Sequence, residues 1–144
     1  MEGTRLAELG VICRRHGVDL VYLFGSQARP GHLFLLGEKV VAEDSLADLD
    51  VGVVGSRPLP PPAGRATFYA LLHNDLAGLF APFKLDLVLL EENHSVFQLE
   101  AIKGICVYQA GEDERSAYET GILRRAADFR PFLDRYLQER LEEV

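Results

Sequence analysis

The chain has 144 residues, 48% of them hydrophobic and 26% charged, which suits one globular domain with a proper core. A formal net charge of −7 argues against a non-specific grip on long nucleic acids, which needs a basic surface. No apolar run has the length of a membrane span, and the polar, acidic N-terminus is unlike a signal peptide, so the expected location is the cytoplasm with no membrane partner. Cys13 and Cys106 each lie in an apolar run and read as small core residues of a reducing compartment.

In chain order, Thr4 to His16 places Leu6, Leu9, Val11, Ile12 and Cys13 at near-helical spacing, with Thr4 as N-cap and Gly17 just past the end. His16, in the last turn, reads as structural. Val18 to Phe24 is a strand apolar on both faces, which suits the centre of a sheet. A Gly25-Ser26 corner follows, at the start of a short helix that Pro30-Gly31 is expected to end. Glycine lets the backbone turn sharply and approach a ligand, and a serine hydroxyl beside the N–H groups of a helix start favours an anion. Arg29 either reaches a phosphate with its planar fork or braces the corner by pairing with a carboxylate.

Residues His32 to Asp44 hold two short apolar runs around Gly37, which predicts a small hairpin, either a cover for one edge of the sheet or a lid. Leu46 to Val54 is the second strand. Alternation puts Asp48 and Asp50 on one face, roughly 7 Å apart along the strand. Such a pair repels unless a cation lies between, and Mg²⁺ is commonly held by one or two carboxylates plus substrate phosphates.

The prolines from Pro58 to Pro62 make a stiff link into a long helix over Ala66–Phe80. Phe83 to Leu90 is a third strand, apolar apart from Lys84 and Asp86. A carboxylate inside an apolar strand implies a metal or an ion pair, with Lys84 or Arg65 as the candidate partner. A short helix over Ser95–Lys103 and a last strand over Ile105–Tyr108 precede a helical segment from Glu112 to Val144. That segment carries an apolar stripe from Tyr118 to Leu141, and Pro131 is expected to kink or split it. The part after Pro131, with Phe132, Leu133, Tyr136 and Leu137, is expected to pack against another chain. The alternative is an arm that folds back and completes the core.

Gly25-Ser26-Gln27-Ala28-Arg29 followed by Asp48-Leu49-Asp50 resembles the signature of the DNA polymerase β-like nucleotidyltransferases. Within that superfamily it is most similar to the minimal nucleotidyltransferases, many of which are antitoxins encoded beside HEPN ribonuclease toxins. The resemblance runs from about Leu6 to Val107. It departs from the family in the 21 residues from Gln27 to Ala47, a longer interval than usual, and in Ala47 where serine is common.

The resemblance implies an α/β (α+β) nucleotidyltransferase fold in one domain, a small mixed sheet flanked by helices, with a C-terminal helical arm over 112–144. It implies metal-dependent catalysis with Asp48, Asp50 and Asp86 holding two Mg²⁺ ions, Mn²⁺ being a substitute. Gly25, Ser26 and Arg29 would bind the nucleotide phosphates. The implied donor is ATP and the implied acceptor a tyrosine of a HEPN toxin partner. Two other readings stay open: an antitoxin that neutralises by binding alone, and transfer to a small molecule. The apolar arm also leaves room for a homo-oligomer.

Overall fold

Four apolar runs assemble into one mixed sheet. The computed structural model describes residues 4–40, 47–56 and 58–142. Helix α1 (Thr4–His16) leads into strand β1 (Val18–Phe24), followed by helix α2 (Ala28–Leu35), strand β2 (Leu49–Gly55) and helix α3 (Pro62–Phe80). Strand β3 (Leu85–Leu89), a 3₁₀ turn (Leu90–Glu92), helix α4 (Ser95–Ile102), strand β4 (Ile105–Gln109) and helix α5 (Glu112–Glu142) complete the chain. The strand order is β3-β2-β1-β4. Strand β1 is antiparallel to both β2 and β4, and β2 is parallel to β3.

Side-chain alternation divides the core between the two faces of the sheet. Val21, Leu23, Leu49, Val51, Val53, Leu87 and Leu89 are buried with Leu9, Ile12, Phe34, Leu72 and Leu76 of α1, α2 and α3. Leu20, Tyr22 and Val54 are buried on the other face with Leu90, Ala101 and the ring of Tyr118. Helices α1 and α3 are tied by Asp75, whose Oδ2 lies 2.7 Å from His16 Nε2 and 3.0 Å from Arg15 Nη1. His16 is thus structural, as its place in the last turn of α1 suggests. Both thiols are free, and burial pushes that of Cys13 up to about 12.

Three sequence expectations are corrected. Pro30-Gly31 does not end α2, which continues to Leu35. Pro30 is the third helical residue, where the N–H has no partner within a helix in any case. Gly31 is there for close packing, because a Cβ would stand 2.8 Å from Leu49 Cδ1 and 3.2 Å from Leu23 Cδ1. The hairpin over 32–44 is not formed as expected either: its first apolar run belongs to α2, and residues 41–46 lie outside the described residues. Finally, α5 is one helix from Glu112 to Glu142, so Pro131 does not split it.

The first half of α5 belongs to the core. Ile122 is fully buried and Ala126 nearly so. Fully buried Tyr22 donates its hydroxyl to Glu119 Oε2 at 2.6 Å, and Arg115 Nε donates to the same oxygen at 2.8 Å. Tyr118 donates to Gln98 Oε1 at 2.6 Å, joining α5 to α4. The side chains of Phe132, Leu133, Tyr136 and Leu137 lie outside the described residues. Among the described residues, no helix is long and apolar enough to cross a membrane. Tyr22→Phe is expected to lower stability by about 1–2 kcal/mol, since it removes a buried hydrogen bond to a charged acceptor. Urea unfolding followed by circular dichroism measures it, and an unchanged midpoint would show that Tyr22 does not fasten α5.

Candidate active site

Strand β1 ends at Phe24 and turns at Gly25, whose φ of 76° lies in the left-handed region that glycine adopts without strain. The turn closes with Ala28 N donating to Gly25 O at 3.3 Å, and α2 begins there. A Cβ at residue 25 would run into Asp50 Oδ2, so glycine lets the carboxylate of β2 lie directly against the corner. Helix α2 is held at its far end. Phe34 sits beneath the Arg5 guanidinium, 3.8 Å from the ring centroid, and meets Phe83 edge-on at 5.5 Å. Arg5 Nη1 also donates to Phe34 O at 2.8 Å. The start of α2 is therefore fixed relative to the sheet.

Ser26 is exposed at this corner, and so is Arg29. Among the described residues, Arg29 forms no ion pair that would brace the corner. Gln27 between them is only 2% exposed, and its Oε1 has no hydrogen-bond partner among the described residues. The sequence offers no sign of that burial, because glutamine at a turn is usually solvated.

Strand register brings the acids together. Phe24 stands opposite Asp50 in the β1–β2 pairing, and Asp50 is level with Asp86 in the β2–β3 pairing. Register partners point to the same side of a sheet, so Phe24, Asp50 and Asp86 form a row across three strands. They lie on the face that carries α4 and the start of α5. Asp48 precedes β2 by one residue rather than lying within it. Asp86 is exposed, against the expectation of a buried carboxylate, because β3 is an edge strand and its outer positions on this face are open. Among the described residues neither Lys84 nor Arg65 pairs with Asp86, and Arg65 instead binds Glu92 at 3.2 Å.

The electrostatics follow from this crowding. The Asp50 carboxyl is pushed from 3.8 up to about 6, first by burial, then by the charge and hydrogen bond of Asp86, then by the charge of Asp48. Asp86 also raises the Tyr69 phenol, after burial of that group. Tyr69 donates to Leu87 O at 3.0 Å and so covers the outer edge of β3.

Among the described residues, no three His, Cys, Asp or Glu side chains form a ready-made metal cage. Mg²⁺ does not require one, since it keeps several waters and takes one or two carboxylates plus substrate phosphates. Asp50 and Asp86 fit that demand: they are adjacent oxygen donors whose mutual repulsion a cation would relieve, beside a corner open to phosphate.

No protein-family model and no curated protein sequence matches the chain. Solved structures do. A mutant form of the toxin–antitoxin MntA-HpeT superposes with a TM-score of 0.63 at 14% identity, covering 92% of this chain and 98% of that one. A toxin–antitoxin with AMP-PNP gives 0.61 at 15% identity, covering 92% and 98%. The complex of a tri-AMPylated Shewanella oneidensis HEPN toxin with its MNT antitoxin gives 0.57 at 14% identity, covering 95% and 99%. All three neighbours are toxin–antitoxin structures, one of them a HEPN toxin with an MNT antitoxin. The chain has the nucleotidyltransferase fold.

Within that fold, the corner and the two register-paired acids occupy neighbouring strand ends. The residues that sequence reasoning left without a role here are Gln27, Tyr69 and the aromatic pair Phe24 and Phe97, whose rings meet edge-on at 5.9 Å. Only strand order and register reveal that Phe24 flanks Asp50.

Proposed function

We propose that this protein is a metal-dependent nucleotidyltransferase that moves AMP from ATP to a tyrosine of a HEPN toxin, and so acts as the antitoxin of that pair. The observation that carries the reading is the Asp50–Asp86 pair, level on adjacent strands, with Asp50 lying against the Gly25 corner. The likeness to toxin–antitoxin structures, one with AMP-PNP and one with an AMPylated toxin, supports this choice of donor and acceptor. The cytoplasm is the compartment that fits ATP as the donor.

In this reaction the tyrosine oxygen bonds to the α-phosphorus of ATP. The bond from that phosphorus to the oxygen bridging to the β-phosphorus breaks, and pyrophosphate leaves. The exposed Ser26 hydroxyl, at the corner that leads into α2, holds the departing phosphates. Arg29, exposed and without an ion-pair partner among the described residues, adds charge there. Asp86, open at the sheet edge, accepts the proton of the tyrosine hydroxyl. Asp48, Asp50 and Asp86 would hold Mg²⁺ or Mn²⁺, which would supply charge neutralisation at the phosphates.

The test is to incubate the protein with a co-expressed HEPN partner, Mg²⁺ and ATP labelled at the α-phosphate. Label on a partner tyrosine is expected. A partner that is neutralised but unlabelled would show an antitoxin that works by binding alone. Ser26→Ala is expected to weaken nucleotide binding several-fold while changing stability by no more than about 0.5 kcal/mol, because the residue is exposed. Calorimetry with ATP, beside a thermal melt, measures both. A collapsed melting temperature with intact binding would make Ser26 a structural turn residue.

A further inference from the structure

We propose that Phe97, supported by Phe24, is the surface on which the nucleobase of the donor stacks. This rests on the nucleotidyltransferase reading and names a residue that the motif leaves out. Phe97 lies in the first turn of α4 and is 39% exposed. The first turn of a helix more often carries polar side chains, which satisfy its open N–H groups. The contact of Phe97 with Phe24 covers part of the ring and leaves the rest open to solvent. Tyr69, at 36% exposed, is explained by its bond to Leu87 O and its stacking on His73. Phe97 has Phe24 beside it, at 90° between ring planes. A perpendicular pair leaves ring face free, whereas a stacked pair would cover it.

Position makes this ring part of the site. Phe24 is the register partner of Asp50 and points to the same side of the sheet. Partners in an antiparallel pair have Cα atoms about 5 Å apart. With 5.9 Å between the two ring centroids, Phe97 is in contact with the side chain that flanks Asp50. With an α-phosphate at the carboxylates and a base on Phe97, the ribose would lie over Phe24, between the two. Asp86 lies on the other side of Asp50, so the acceptor approaches from the sheet edge and the base lies toward α4. Stacking on an aromatic face tolerates any base, so this contact supplies affinity rather than a choice between adenine and guanine.

The experiment measures binding by calorimetry in Mg²⁺ with two probes, α,β-methylene-ATP and inorganic tripolyphosphate, which has no base. Phe97→Ala is expected to weaken α,β-methylene-ATP about tenfold and tripolyphosphate by less than about twofold. Phe97→Tyr should restore the nucleotide affinity, and Phe97→Leu should not, since it keeps apolar volume without a ring face. Circular dichroism checks that each variant is folded. Unchanged nucleotide affinity in Phe97→Ala, or an equal loss for both probes, would overturn the stacking role while leaving the carboxylate site standing. A wild-type protein that binds neither probe would overturn the active-site reading, and this inference with it.

Discussion

Asp50→Asn and Asp86→Asn are each expected to lower AMP transfer by about a hundredfold or more, without lowering the melting temperature at neutral pH. The first half follows from the proposed role of these acids in neutralising phosphate charge, where losing one electrostatic partner commonly costs two to three orders of magnitude. The second half follows from their repulsion. The folded state raises the Asp50 carboxyl from 3.8 to about 6, so it binds that proton more tightly than the unfolded chain does. The contribution of Asp50 to the stability of the ion-free protein is therefore fully present below 3.8. It is lost as pH rises through the folded value near 6. Asparagine has no such proton to lose. In a chelator, the melting temperature of Asp50→Asn should fall less than that of the wild type across this window. A variant that transfers AMP normally, or that melts well below the wild type at pH 7, would remove Asp50 from the proposed machinery.

Gly25→Ala is expected to be damaging in both respects. Its φ of 76° costs an L side chain about 1–2 kcal/mol, and the new methyl would also meet Asp50 Oδ2. The carboxylate must move, and with it the geometry that places it beside Asp86. Stability should drop by about 1–3 kcal/mol and transfer by at least about tenfold, since small misplacements of reacting groups are expensive. Urea unfolding and the labelled-ATP assay measure the two effects separately. Transfer at the wild-type level would mean that the corner does not position Asp50. Ser26→Ala, one residue along and exposed, serves as the comparison in which stability holds.

Much of this architecture was legible from local patterns. The apolar run Val18–Phe24 became the central strand β1, and the periodicity of Thr4–His16 became α1, because both signals are carried by neighbours in sequence. The nearness of Asp48 and Asp50 was equally local, since only Leu49 separates them along the backbone. So was the Gly25-Ser26 corner, where the order of residue types already marks a turn into a helix.

Other features depend on partners distant in the chain. Pro30-Gly31 looks like a helix stop, yet α2 passes through it because Leu23 and Leu49 require a residue without a side chain at Gly31. The exposure of Asp86 was decided by strand order, which places β3 at the edge and leaves one side of it open. The docking of the first half of α5 was decided by Tyr22, whose hydroxyl finds Glu119 across 97 residues of sequence. Sequence by itself determined the four strands and the helices α1, α3, α4 and α5, and placed Asp50 and Asp86 on strands, because periodicity and turn chemistry act within a few residues. The row Phe24, Asp50 and Asp86 was decided by the tertiary structure alone, because register between strands is set by the packing of both faces of the sheet.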